Sequence, residues 1–551
     1  MERLEKDRHF LDDLLGALRV AGASQVNALV DLIRTDAGRQ EIETFLSYRF
    51  ASLGDNDERN RGKETYRRHR HMMGRIEDVV NPPLQVPAKP WTTVTEDDDL
   101  ISHLMSLWFS WAHPWWHWVD EKQFVKAMQA GDTSSLICTP YLVNMILADA
   151  CLLDTMGEDD EEPSLELRQQ FYNEGKKGLD AEEGHVSLAY LAALGVQWTY
   201  LNTNGQDQLG NAIFYQQVFL VKSLDKWRAK IEKDPRTTAE HLYAVDLSLG
   251  RLEWTLYCLN LFVGLALETV RQFDMPKREK PVAHPQTGNP CDEHGEWKPY
   301  PVPHPPMDWH SNCHYLAYVS LAEVVTADEA MYEEKRRTEP HKMAHKFEGL
   351  YIKVQAWPKT LPPCMRMHER AMPHVIALHW VIITISKQTA TLEDSTDKPS
   401  LVSTPDSSEK ARWRQISITE CIRISEHLER LRQSWGADHF PVIIIQPATI
   451  AAFALLEDLQ DRPECQAAFY KLCIVLCAAS RRFRVCKGVL RLLEKTSKEN
   501  GIALPDGCGQ LLVDFNHANA MELDGMARRI DDPGLDYLLE KWDDLDLDEA
   551  F

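Results

Sequence analysis

Two pairs of soft ligands come first among the residues whose types and spacing could do chemistry. Cys291 and His294 lie three apart, as do His310 and Cys313. Two thiolates and two imidazoles can complete a tetrahedral zinc site. The segment between the pairs is rich in proline and holds no helix or knuckle to fix four ligands, which favours an ordinary loop. His310 with His314, and His341 with His345, place imidazoles four apart on one helical face, and His374 and His379 are five apart. None lies in an H-E-x-x-H pattern, so metalloprotease chemistry has no support. Asp159, Asp160, Glu161 and Glu162 form an acidic run of the kind that binds magnesium and a diphosphate. The run stands before Pro163 in a loop bounded by glycine and proline, with no partner motif, and reads as a solvated acidic loop. Glycine patterns that cradle phosphates are absent, as is a G-x-S-x-G nucleophile turn. An enzyme is not expected.

The C-terminus carries a different chemistry. Residues 531–551 hold nine acidic residues and one lysine. Interleaved with them are Leu535, Leu538, Leu539, Trp542, Leu545, Leu547 and Phe551. Acidic groups keep such a segment solvated while its apolar side chains stay available to fold into a partner's groove. The alternative is a terminal helix docked on its own domain. Near the other end, Arg67, Arg68, Arg70 and Arg75 cluster in a polar stretch. They read either as a solvated linker or as a candidate nuclear import signal. Leu4, Leu11 and Leu18 fall seven apart, the spacing of a coiled-coil seam. They span too few heptads to separate a dimerising helix from an ordinary amphipathic one.

Composition narrows the classes. A chain of 551 residues with 44% hydrophobic content can bury a large core. A net charge of −23 argues against the chain as a whole gripping a phosphate backbone. The first residues, MERLEKDRHF, are charged throughout and give no signal peptide. No window approaches the roughly 20 apolar residues that span a bilayer, so no membrane partner is expected. Twelve scattered cysteines read as reduced thiols in a reducing compartment, cytosol or nucleus.

The elements that must position these residues read as all-α. Asp97, Asp98 and Asp99 form a helix-start signal, followed by Leu100, Leu104, Leu107, Trp108 and Trp111 at helical spacing. Pro114 ends that helix, and Phe124, Val125 and Met128 mark a short second one. Leu142 to Leu153 is apolar nearly all round and predicts a deeply buried third. Buried helices also follow at Leu188–Trp198 and Leu247–Val270. Further helices are expected at 316–332, 347–357, 373–385, 413–435, 446–459, 467–479 and 482–495. The tract from Lys277 to Pro306 has no periodicity. Pro441–Ile445 alone has strand character and is too short for a sheet.

Within this pattern a resemblance appears. Leu104, Leu107, Phe109, Trp111, His113 and Pro114 form the first piece, and Asp120 with Phe124 the second. Cys138, Pro140, Leu142, Val143, Asn144, Ile146, Leu147 and Ala148 form the third. Leu179, Asp180, Glu182, Glu183, Gly184, Ser187 and Leu188 form the fourth. In this order they resemble the middle homology region of fungal zinc-cluster (Zn2Cys6) transcription factors, and within them the nitrate-assimilation-regulator-like group. The family's next turn survives in part as Gly205, Gln206 and Asp207, while the motif after it does not.

The resemblance implies a transcription factor of the nucleus, acting on RNA polymerase II genes through coactivators. It makes the Pro- and His-rich tract an inter-helix loop and the C-terminus a candidate activation segment. It raises residues 1–20 as the end of a dimerising helix, for a homo- or heterodimer. The family's DNA-reading cluster needs six cysteines with C-x2-C pairs, and no C-x2-C occurs here. The expectation is that this chain begins beyond its cluster, so that zinc and promoter DNA belong to a module outside it and no cofactor lies within it. The alternative is a cluster-less co-regulator that pairs with an intact factor. The expected divisions are N-terminal helices (1–50), a basic and Pro-rich linker (51–95) and a regulatory domain (96–390). A flexible linker (391–411), a helical region (412–500) and an acidic tail (501–551) follow.

Overall fold

The computed structural model describes residues 81–154, 161–182, 185–266, 274–280, 295–301, 305–326, 340–366, 373–394, 407–436, 440–480, 482–505 and 507–508, with Leu29, Ile33 and Ile42 as isolated helical positions. The regular elements among the described residues are helices, apart from one small ribbon. The all-α expectation holds.

The first helix, α1 (Asp98–Trp111), begins where its acidic residues place it. The Asp97 carboxylate accepts from the backbone N–H groups of Asp99 (3.0 Å) and Leu100 (3.2 Å). Asp98 and Asp99 then lie at the positive end of the helix dipole. Spacing predicts one buried face, yet every residue from Leu100 to Trp111 is buried. The reason is the Pro-rich stretch before it, which is docked along α1. Leu84 and Val86 donate their backbone N–H groups to the Ser106 and Ser102 hydroxyls, at 3.1 and 3.0 Å. Ala88 N–H donates to Asp98 at 2.7 Å, and Trp91 is fully buried with its indole donating to the Met128 carbonyl. A chain in neither helix nor sheet must find such partners for its peptide groups.

Pro114 does not simply stop α1. It sits in the first turn of a short helix, α2 (His113–Trp116), where a proline loses no hydrogen bond. Next come α3 (Glu121–Ala130) and α4 (Pro140–Ala150), the latter buried from Leu142 to Ala150 as its composition requires. The acidic run departs from expectation. Glu161 and Glu162 open α5 (Glu161–Ala181), with Pro163 in its first turn, because acids and proline suit a helix start as well as a loop. Then α6 (Leu188–Thr203) is buried almost all round, capped by Ser187. Gly205, at φ 78°, closes it by a left-handed turn, with Gln206 N–H donating to the Leu201 carbonyl at 2.9 Å. After that turn come α7 (Asp207–Leu220), α8 (Leu224–Glu232) and the long α9 (Ala239–Ala266).

The unperiodic tract supplies the ribbon. Strand β1 (Gly295–Trp297) pairs antiparallel with β2 (Met307–Trp309), Glu296 facing Asp308. Beyond it run α10 (Ser311–Thr326), α11 (Pro340–Ala356), α12 (Pro363–Arg366) and α13 (Pro373–Asp394). The last group is α14 (Ser407–Trp435), α15 (Ile445–Leu456), α16 (Pro463–Ser480) and α17 (Arg484–Glu499). The segment with strand character forms a 3-10 turn, Val442–Ile444, leading into α15.

Helices α1, α4, α5, α6 and α7 form one packed group, and α11 with α13–α17 another. Helices α9 and α10 join them, and α17 returns to touch α6. The linker expected at 391–411 connects α13 and α14, which lie along each other. One apolar cluster runs from Val86 to Cys508.

Between the two groups lies a joint of three indoles. Trp111 of α1, Trp297 of β1 and Trp435 of α14 meet with ring centroids 5.2–6.1 Å apart, all edge to face. Trp297 donates to the Ser110 carbonyl at 3.3 Å, and Trp111 donates to that of Tyr300. The ribbon is thereby fixed against the end of α1.

Candidate functional site

The sequence between α1 and α3 reads HPWWHWVD, and its fold decides what it can do. His117 follows α2 with φ 47° and ψ 38°, a left-handed conformation uncommon for any residue with a side chain. The turn sends Trp116 and Trp118 inward, where their rings stack at 6.5 Å against Trp198 of α6. It also delivers His113, His117 and Asp120 to the faces of α9 and α10.

There they meet Arg251, Asn312 and Tyr315, all buried. Asp120 works in two directions. One carboxylate oxygen caps α3 by accepting from Gln123 N–H at 3.1 Å, and the other lies 3.3 Å from Arg251 Nε. That ion pair is close but not aligned as a hydrogen bond. Arg251 donates through Nη2 to Asn312 Oδ1 at 3.0 Å, and its guanidinium lies 5.0 Å from the Tyr315 ring centroid. Tyr315 donates its hydroxyl back to the Arg251 carbonyl at 2.9 Å.

The two imidazoles complete the group. His113 Nε2 lies 2.9 Å from the Val119 carbonyl and so carries its proton there. Burial holds His113 down to about 4, against the pull of that carbonyl. Burial also holds His117 well below the usual value, helped by the positive potential of His113, Arg251 and His314. At neutral pH both rings are therefore neutral, and Asp120 with Arg251 forms a closed pair of charges. The His117 ring packs on Tyr315 at 4.8 Å. Its Nδ1, with the indole nitrogens of Trp116 and Trp118, is buried without a hydrogen-bond partner. No nucleophile stands in the group, and neither imidazole titrates near neutrality. The arrangement is a polar clasp that fastens the α2–α3 turn to α9 and α10.

A second buried polar group joins α13 to α14. His379 Nδ1 contacts the Glu420 carboxylate, whose other oxygen accepts from Arg423 at 2.7 Å, and the His379 and His427 rings stack at 5.3 Å. One group among the described residues could hold a metal: His310, Cys313 and Cys364. The spacing of His310 and His314 suggests one helical face, but His310 stands just before α10 and only His314 is on it. His314 is buried on the side of the clasp, while His310 groups with the two thiols.

Leu4, Leu11 and Leu18, Arg67, Arg68, Arg70 and Arg75, and the tail residues Leu535 to Phe551 lie outside the described residues, as do Cys291, His294 and Asp159. Cys473 and Cys477 sit on α16 and Cys486 on α17. Sequence reasoning missed the partnership of Asp120 with Arg251, and Cys364 altogether. It also missed Asp149 on α4, whose carboxylate accepts from the Trp108 indole at 3.0 Å. Arg251 did carry a signal. An arginine inside the apolar run RLEWTLYCLNLF must find a buried acceptor, and an aspartate near a helix start is the natural one.

Comparison with known proteins places this architecture. The chain is 26% identical over 547 residues to the notoamide biosynthesis transcriptional activator notL' of Aspergillus versicolor, covering 93% of this chain and 84% of that protein. It is 22% identical over 310 residues to the nitrogen assimilation transcription factor nirA of Emericella nidulans, covering 55% of this chain and 34% of that protein. A segment of 70 residues is 34% identical to the nitrogen assimilation transcription factor nit-4 of Neurospora crassa, 12% of this chain and 6% of that protein. No family model matches the chain, and no solved structure does. The resemblance read from the four motif pieces is borne out: these relatives are fungal transcription factors.

Proposed function

We propose, for a chain related to fungal transcription factors over nearly its whole length, that it is a nuclear transcriptional activator whose helical body regulates an acidic activation tail. The observation that carries this reading is the match to an activator along 93% of the chain. The match to nitrogen assimilation factors is shorter, so control of a biosynthetic gene set is favoured over control of nitrogen use. The relatives are named as a transcriptional activator and transcription factors, which supports a non-catalytic role.

In this reading the body between residues 81 and 508 holds the clasp, which fixes how the α2–α3 turn sits on α9 and α10. An effector that reorients that turn would change what the body presents to partners. The tail engages coactivators through Leu535, Leu538, Leu539, Trp542, Leu545, Leu547 and Phe551. Arg67, Arg68, Arg70 and Arg75 serve import, and Leu4, Leu11 and Leu18 serve pairing with a second chain. Promoter DNA is read through a module or partner that brings its own basic surface, since this chain's net charge is −23.

The test is a fusion of residues 525–551 to a heterologous DNA-binding domain, with a reporter gene as readout. Activation is expected, with at least about a tenfold loss when Leu539→Ala and Trp542→Ala remove two apolar anchors, as for paired hot spots of an interface. A silent fusion, or one indifferent to both substitutions, would overturn the role given to the tail.

A further inference from the structure

We propose that His310, Cys313 and Cys364 form a binding site for one thiophilic divalent cation, zinc by its fit, that braces the start of α10 to α12. This goes beyond the proposed function and stands or fails independently of it. It also revises the expectation that this chain holds no cofactor.

The geometry comes from two elements far apart in sequence. His310 directly follows β2 and precedes α10, with its carbonyl accepting the His314 N–H at 2.9 Å. Cys313 lies in the first turn of α10, where peptide dipoles favour negative charge. Cys364 comes from the short helix α12, which packs against α10. The imidazole nitrogen and the two sulfurs lie within 4.8 Å of one another. Zinc bonds of about 2.3 Å to sulfur and 2.0–2.1 Å to nitrogen set tetrahedral edges of roughly 3.8 Å. The three side chains therefore need to close by about 1 Å at most, a side-chain adjustment rather than a backbone one.

The donor set selects the ion. Two thiolates and an imidazole are soft to borderline ligands, with no carboxylate among them, which disfavours magnesium and calcium. Two cysteines and one histidine with an open fourth position is a known zinc coordination pattern. Burial is graded to match. Cys313 is 1% exposed and anchors the site, while His310 and Cys364 are half-buried, leaving a solvent side for entry and for a water as fourth ligand. Each thiol releases its proton as it binds. Cys473 and Cys508, by contrast, pair with each other in a fully apolar setting.

The experiment uses the full chain, reduced and stripped with a chelator, then titrated with cobalt(II) as a visible stand-in for zinc. One equivalent is expected to produce thiolate-to-cobalt charge-transfer and tetrahedral d–d bands, and zinc is expected to displace it. Cys364→Ser and His310→Gln change half-buried positions, so the helical circular dichroism should persist while cobalt affinity falls at least about tenfold. Cys477→Ser, on α16, should leave binding unchanged. The proposal is overturned by the absence of a cobalt–thiolate band. It is equally overturned if the band survives in the double variant, or if the stripped protein forms a Cys313–Cys364 disulfide and takes up no metal.

Discussion

Asp149 is a carboxylate 5% exposed to water, with a single indole donor to satisfy it. Burial pushes its pKa from 3.8 up to about 7. His113 is its counterpart, a base pushed from 6.5 down to about 4. Their linkage to stability runs in opposite directions. The raised carboxyl favours the fold fully below pH 3.8, and that support is lost as pH rises through 7. The lowered imidazole favours the fold fully above pH 6.5, and that support is lost as pH falls through 4. The swing is about 4 kcal/mol for Asp149 and about 3 kcal/mol for His113. Between pH 4 and 7 the two offset one another, which flattens stability across the mildly acidic range. Asp149→Asn keeps an acceptor for Trp108 and removes one side of this balance. It is expected to raise stability at pH 7 by about 2–4 kcal/mol, with a smaller gain at pH 5. Urea unfolding at the two pH values measures this, and a variant less stable at pH 7 would contradict it. LADACLL places Asp149 inside a run expected to be buried, but nothing in it names the indole that satisfies the carboxylate. That indole comes from α1 lying across α4, a contact that local pattern cannot carry.

At the scale of elements, close approach is set by glycine. Gly195 lies on α6 where a Cβ would fall 2.5 Å from the Trp118 ring. On α5, Gly175 and Gly178 let Tyr141 and Met145 of α4 approach the helix backbone in the same way. Trp118 cannot swing aside, because Trp116 and Trp198 hold its ring on two sides. Gly195→Ala is therefore expected to destabilise the protein by about 1–3 kcal/mol, although alanine is the better helix former. Thermal melts of the variant would show it, and an unchanged or higher midpoint would sink the argument. This scale also divides what the sequence could tell. The start of α1, the buried α4 and the Gly205 turn follow from short-range rules of capping, periodicity and positive φ. The ribbon at 295–297 and 307–309 does not, because its pairing is made across ten residues and its support comes from Trp111 and Trp435. The start of α5 was misread for another reason: the same acids and proline that end a loop also begin a helix.

At the scale of the molecule, the C-terminal helices complete a body begun far upstream. Helix α14 lies along α13 and joins it through His379 and Glu420, and α13 also meets α9, α10 and α11. Residues 407–508 expressed alone would leave the α14 face toward α13 bare, with Glu420 and His427 stripped of His379. Such a fragment is expected to lack a cooperative melt, while the full chain shows one in which helix content and tryptophan fluorescence fall together. A sharp independent transition for the fragment would show that the body divides. The motif pieces at 104–188 identified the kind of protein, but they contain only half of the clasp. Arg251, Asn312 and Tyr315 arrive from helices outside those pieces, so the clasp was visible only once the helices were packed.

The three-indole joint carries one more consequence. Trp111 and Trp435 are more than three hundred residues apart, and the ribbon between them ends near residue 309. As the chain leaves the ribosome, α1 and the ribbon are made long before the indole that seals them. Closing so long a loop is slow, and the apolar end of α1 is bare while it waits. Birth of this protein therefore includes an interval in which α1 depends on a chaperone or on neighbouring helices for cover. The arrival of α14 brings the indole that ties the ribbon and the end of α1 to the C-terminal helices.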